Sequence, residues 1–323
     1  MCTDILLHCN KKEWYRLKNK NTDTAPFQKW IKKNWSNLAL IGVFIVGLLI
    51  FLYPTISDYW NSYHASRAIM TYSDTVSNMN EEEYQKEIND ALEYNYRLAQ
   101  KGIDWNTDDM DLTEYNSILD ISDASIMGYV KIDKIKVTLP IYHTVDEAVL
   151  QVGVGHLENT SLPVGAKSYD VEKGIVTDST DGSHCVLSGH RGLPSAKLFS
   201  DLDKLNEGDI FTIYVLGETY SYQIDQIRVV LPSDVQEIKI VPGQDYCTLQ
   251  TCTPYGINTH RLLVRGKRVK TPAGEVAVSG DASLVDGKYV APFIAAPIII
   301  VLVTVVLFGN KKPRKGEVNE RNK

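Results

Sequence analysis

Two uncharged apolar runs, one near each end, constrain this 323-residue chain before any finer pattern is read. Residues 35–56 carry no charged side chain, and 38–53 are almost wholly apolar. The hydrocarbon core of a bilayer is about 30 Å thick, and roughly 20 residues of helix cross it. The run therefore predicts a transmembrane helix. Residues 289–308 form a second uncharged run, rich in Ile and Val after Pro297, and predict another. Lys29, Lys32 and Lys33 precede the first run, and Lys311, Lys312, Arg314 and Lys315 follow the second. The positive-inside rule then predicts a two-pass protein with both termini cytoplasmic and everything between the spans outside. The first run exceeds the apolar core of a signal peptide, and no A-x-A-like cleavage site follows it, which favours an anchor over a cleaved leader.

A net charge of −6 is uninformative by itself, because the basic residues at the ends belong to the membrane flanks. No basic patch argues for nucleic acid. The five cysteines are few and odd in number, with Cys2 and Cys9 in the predicted cytoplasmic tail, so no disulfide framework is expected. Past the first span, 58–76 and 81–100 read as two antiparallel helices. In the second, Tyr84, Ile88, Ala91, Leu92, Asn95, Leu98 and Ala99 recur at helical spacing. Asn80 with Glu83 makes a capping box, and Gly102 suits the stop. From Ile126 the period becomes that of strands, with runs at 126–132, 137–142, 185–188, 210–215, 220–230, 246–251 and 262–269. Short helical turns are expected at 146–151 and 196–202. Many short strands separated by Gly and Pro point to an antiparallel-rich barrel.

Three side chains carry candidate chemistry. Cys252 lies in the run Thr248-Leu249-Gln250-Thr251-Cys252-Thr253-Pro254-Tyr255. A thiolate is a strong nucleophile, and a nearby cation favours it. Arg261 follows in Asn258-Thr259-His260-Arg261-Leu262-Leu263-Val264-Arg265 and never loses its charge. Upstream, Val186-Leu187-Ser188-Gly189-His190-Arg191-Gly192 sets an imidazole after an apolar strand, between glycines. Two of them have a plain alternative: a buried small hydrophobe for Cys252 and a surface residue for His190. His143, His156, His184, His260 and Arg265 are read as structural. No paired short spacing of Cys and His suggests a metal, and no cofactor is expected.

These motifs resemble the sortases of Gram-positive bacteria, whose signature is a Thr-Leu-x-Thr-Cys strand, a downstream Arg and an upstream His. The stretches 153–158, 160–163, 190–199 and 252–266 look like the class C, pilus-assembling branch, and the likeness covers roughly 126–268. The resemblance implies a mainly β fold, an eight-stranded barrel with short helices. It also implies roles: Cys252 as nucleophile, His190 as general acid and base, Arg261 as stabiliser of the oxyanion and substrate. The implied reaction cleaves a Leu-Pro-x-Thr-Gly-like signal between Thr and Gly through a thioester and passes the acyl group to a pilin lysine. The implied partners are precursors of pilins or surface proteins bearing that signal, at the membrane of a Gram-positive bacterium. No such signal precedes 289–308, so that run is expected to stay as an anchor. A housekeeping sortase acting on cell-wall peptide, a hydrolytic cysteine protease and a non-catalytic membrane adaptor are the competing readings.

The expected organisation is a cytoplasmic tail (1–34), a span (35–56), an extracytoplasmic helical hairpin with a lid-like linker (57–125), the catalytic barrel (126–270), a linker (271–288), a span (289–308) and a second tail (309–323). Class C sortases usually carry an Asp-Pro-aromatic lid motif, which 100–124 lacks. Asp104-Trp105 is the nearest candidate, without the proline that would stiffen it. The polar stretch 165–183 is expected to be a mobile loop, or a rim touching a pilin. Cys185 and Cys247 each stand five residues before a catalytic candidate, an odd offset that turns them to the opposite, inner face of their strands. The resemblance makes those strands neighbours, so the two thiols form a possible structural pair, bonded or free.

Overall fold

The computed structural model describes residues 34–101, 112–121 and 125–272, with isolated positions at 28, 30–32 and 299. It comprises two units, 1–53 and 54–323. The span at 35–56 and the helix expected at 58–76 form one helix, α1 (Trp35–Ser77), with Pro54 inside it. In the first unit its side chains Val43, Phe44, Val46, Leu49, Ile50 and Phe51 are all exposed. A helix of this length and apolarity can cross a membrane. The second expected span and Asp104-Trp105 lie outside the described residues.

The second unit is built on a closed barrel of eight strands, in the order β1-β2-β3-β6-β9-β10-β8-β7. Its strands are β1 (Ile126–Ile132), β2 (Val137–Tyr142), β3 (Val154–His156), β6 (Ser183–Ser188), β7 (Ile210–Val215), β8 (Glu218–Val230), β9 (Asp245–Thr253) and β10 (His260–Val269). The period-2 runs thus become strands where the sequence places them, and the eight-stranded barrel is as expected. The short β3 has no period-2 signal of its own. Closure removes every free strand edge. The interior is filled by Val130, Ile132, Leu187, Phe211, Tyr222, Leu249 and Val264, with Phe211 stacked on Tyr222 at 5.5 Å between ring centres.

The last turns of α1 and the helix α2 (Glu81–Lys101) pack on the barrel. Asn80 caps α2, its Oδ1 accepting from Glu83 N at 2.9 Å. Tyr72, buried on α1, donates to Met127 O (3.0 Å) and accepts from Leu216 N (2.8 Å). Fully buried Asn95 on α2 serves three backbone groups: it donates to Leu162 O and Gly165 O and accepts from Leu162 N. A one-turn helix, α3 (Leu112–Ser117), brings in Tyr115, whose hydroxyl lies 2.6 Å from His143 O and 2.8 Å from His156 Nδ1.

The stretch expected to be a mobile loop is instead pinned. It holds a two-stranded sheet of β4 (Tyr169–Asp170) and β5 (Ile175–Val176). Buried Asp181 accepts from Ser168 N and Oγ, both at 2.7 Å, and from Gly182 N. Buried carboxylate oxygens need such donors, and the polar composition that suggested an open loop supplies them. Asp245, also fully buried, accepts from Ser183 Oγ and Ala166 N beside Arg268. Burial raises the pKa of its carboxyl. Arg268 lies over the rings of Tyr220 and Tyr169 at 4.4 and 5.0 Å.

Of the histidines read as structural, His143, His156 and His184 are buried in the packing, while His260 is half-exposed at the start of β10. His184 is buried, Nδ1 donating to Lys239 O and Nε2 accepting from Thr248 Oγ1, both at 2.8 Å. Burial lowers its pKa from 6.5 to about 4. The unfolded chain takes up this proton below about pH 6.5 and the folded one only near pH 4. The contribution to stability is therefore complete above about pH 6.5 and is lost as pH falls toward 4, up to about 3 kcal/mol. Denaturant unfolding at pH 7 and pH 4.5 should show this loss in the wild type, and His184→Gln should flatten that part of the pH dependence.

Candidate active site

Cys252 lies near the end of β9, and the antiparallel ladder with β10 sets Arg261 directly opposite it and His260 opposite Thr253. On β9, residues 247, 249 and 251 face the packed interior and 248, 250 and 252 face outward. Cys252 is accordingly half-exposed while Cys247 is fully buried. On its other side β9 pairs in parallel with β6, from Ser183 opposite Asp245 to Ser188 opposite Gln250. Beyond Ser188 the pairing continues through Gly189 N, which donates to Gln250 O at 3.0 Å, and Gly189 O, which accepts from Thr251 Oγ1 at 2.7 Å. His190 follows immediately, so the ladder delivers it to the end of the barrel that carries Cys252 and Arg261. All three expected residues thus share one end of three adjacent strands, each of them half-exposed.

Two contacts tie the segment after His190 to the segment after Cys252. Arg191, largely buried, donates through Nη1 to Thr253 Oγ1 (3.2 Å) and through Nη2 to Asp203 (2.5 Å). Gly192, at φ +82, lies under the ring of Tyr255, where a Cβ would come within 2.7 Å of a ring carbon. Only glycine combines that φ with that approach. The loop itself is closed by Phe199 N donating to His190 O at 3.1 Å. Its tip is held by α1, where Asp58 Oδ1 accepts from Lys197 N and Asn61 Nδ2 donates to Ser195 O.

Arg261 donates only to His260 O, at 3.4 Å, and among the described residues no carboxylate pairs with it. Arg265 behaves differently: it grips Asp225 with two hydrogen bonds (3.0 and 2.8 Å) and lies 4.2 Å over the Tyr246 ring, the structural arginine the sequence suggests. Cys185 and Cys247 are register partners in the barrel interior, and both are free thiols. Burial pushes the Cys247 thiol well up, which suits packing rather than reactivity. A half-exposed thiol, an imidazole and a half-exposed guanidinium on one rim form a set able to attack a carbonyl, move a proton and stabilise an oxyanion.

The sortase domain family matches residues 130–269 of the chain. Among solved structures, sortase C1 of Streptococcus agalactiae is 51% identical, with a TM-score of 0.58, and is matched over 100% of its length by 64% of this chain. The chain belongs to the sortase family. Sortase C of Streptococcus pneumoniae is similar at 40% identity, covering 65% of this chain and 100% of that one, with a TM-score of 0.54. Sortase A of Streptococcus agalactiae is 26% identical over 200 residues, 58% of this chain and 75% of the relative. This sortase is therefore a cysteine transpeptidase whose structural neighbours include class C members.

Sequence reading missed two residues next to the catalytic candidates. Arg191 has a signal in hindsight, since it follows His190 directly and a buried arginine needs partners. Glu147, which contacts His190, has none, because it lies 43 positions away in a polar turn. Arg191→Ala should leave Asp203 without its cation and Thr253 without its donor. The expected loss is about 1–3 kcal/mol of stability by denaturant unfolding, with lower activity in the molecules that remain folded.

Proposed function

We propose that this sortase polymerises pilins at the outer surface of a membrane that holds it by both apolar runs. In this reading Cys252 attacks the carbonyl of the Thr–Gly bond in a Leu-Pro-x-Thr-Gly-like signal. Arg261 stabilises the oxyanion as the tetrahedral intermediate forms. His190 protonates the departing glycine amine, and the acyl group is left as a thioester on Cys252. A pilin lysine then gives up a proton to His190 and attacks the thioester, forming an isopeptide bond and freeing the thiol.

The observation that carries this reading is Arg261, which stands directly across the ladder from Cys252 and has no carboxylate partner among the described residues. The class C neighbours, among them one described in terms of pilin substrate specificity, support the choice of acceptor. The apolar first half of α1 supports membrane attachment, since its large apolar side chains are exposed among the described residues. A donor carrying its own membrane tail and an enzyme anchored beside it meet at high effective concentration.

The full chain in detergent, mixed with a pilin bearing both the sorting signal and its lysine, tests the assignment by denaturing gel. The expected result is a ladder of covalent multimers that resists hydroxylamine and is absent with Cys252→Ala or Arg261→Ala. Cleaved monomer alone would point to hydrolysis, and product formed only with added glycine peptides would point to wall attachment. Either of these outcomes would overturn the pilin reading.

A further inference from the structure

His190 has a carboxylate partner. Its Nε2 lies 3.1 Å from Glu147 Oε2 and 3.2 Å from Oε1. Glu147 opens the one-turn helix α4 (Glu147–Leu150) in the connection between β2 and β3. Gln151, one turn on, also donates to Glu147 Oε1, at 3.0 Å, and helps to fix the carboxylate. That amide first, and His190 second, hold the Glu147 carboxyl below its ordinary pKa.

The backbone that carries Glu147 is seated closely. β3 pairs with β6 through Gly155 opposite Ser188, two residues before His190, so the connection entering β3 passes over the end of β6. A Cβ on Gly155 would lie 2.2 Å from Thr144 O, so the start of the connection rests directly on the strand backbone. Thr144 Oγ1 accepts from Asp146 N, and Asp146 O accepts from Val149 N and Leu150 N, closing the turn.

We propose that Glu147 is a positioning residue for His190. The carboxylate accepts the Nε2 proton and sets the ring's rotation, which leaves Nδ1 as the nitrogen that passes a proton to and from the substrate amine. Arg191, the next residue in the chain, is engaged by Asp203, and among the described residues Glu147 is the carboxylate within hydrogen-bond reach of the ring. A catalytic base oriented by a third group is a general arrangement for covalent catalysis, and no acidic residue near His190 in sequence predicts it. This inference rests on the reading of His190 as the proton carrier.

The test uses the full chain in detergent micelles. Because Glu147 is exposed, Glu147→Ala should leave the melting temperature unchanged. On a Leu-Pro-x-Thr-Gly peptide kcat should fall about tenfold with KM within about twofold, a fraction of the hundredfold or more that proton transfer itself supplies. Glu147→Gln, which keeps an acceptor oxygen, should recover part of that loss. Ring-labelled histidine NMR needs no substrate: the Nε2–H signal of His190, assigned with His190→Gln, should be lost or shifted in Glu147→Ala. An unchanged ring signal overturns the proposal whatever the peptide does, as does kcat within twofold of wild type, a change confined to KM, or a rise in kcat. Wild-type activity surviving in His190→Ala would instead overturn the reading of His190, and this proposal with it.

Discussion

The parallel ladder between β6 and β9 is the constraint on which the site depends. Its register, Cys185 opposite Cys247 and Leu187 opposite Leu249, is fixed by burying four apolar side chains in the barrel interior. A slip of one residue would turn Cys247, Leu249 and Thr251 outward and Cys252 inward, because strand side chains alternate with a period of two. The same register that packs the core therefore exposes the thiol and carries His190 to its level. Stability and chemistry share one set of hydrogen bonds, and they use opposite faces of the strand.

Around that ladder the protein adds bracing. Arg191, the residue after His190, donates to Thr253, the residue after Cys252, and Tyr255 covers Gly192. α1 holds the tip of the loop after His190 through Asp58 and Asn61. These contacts act on loops, which would otherwise be the least fixed parts of a barrel. Proton transfer and oxyanion stabilisation depend on close placement, and the bracing acts on the loop ends next to the candidate side chains.

Much of this is legible in the sequence. The period-2 runs give the strands, and Asn80 with Glu83 marks the start of α2. The odd offsets of Cys185 and Cys247 give their inward faces. What fails to show has a common physical cause: it depends on which partners a polar side chain meets once the chain is folded. The polar stretch 165–183 reads as loose because its polarity is visible while its partners are not. Asp181 and Asp245 are buried and satisfied by backbone and hydroxyl donors from 166–183 and Tyr222. Glu147 is invisible for the same reason, since only the β3–β6 pairing brings α4 to His190.

The most direct measurement is the intact mass of the full chain in detergent, quenched in acid shortly after mixing with a Leu-Pro-x-Thr-Gly peptide. The account predicts an added mass equal to the peptide up to and including Thr, located on Cys252 by fragmentation and released by hydroxylamine. An adduct on another residue, or peptide cleavage that persists in Cys252→Ala, would contradict it.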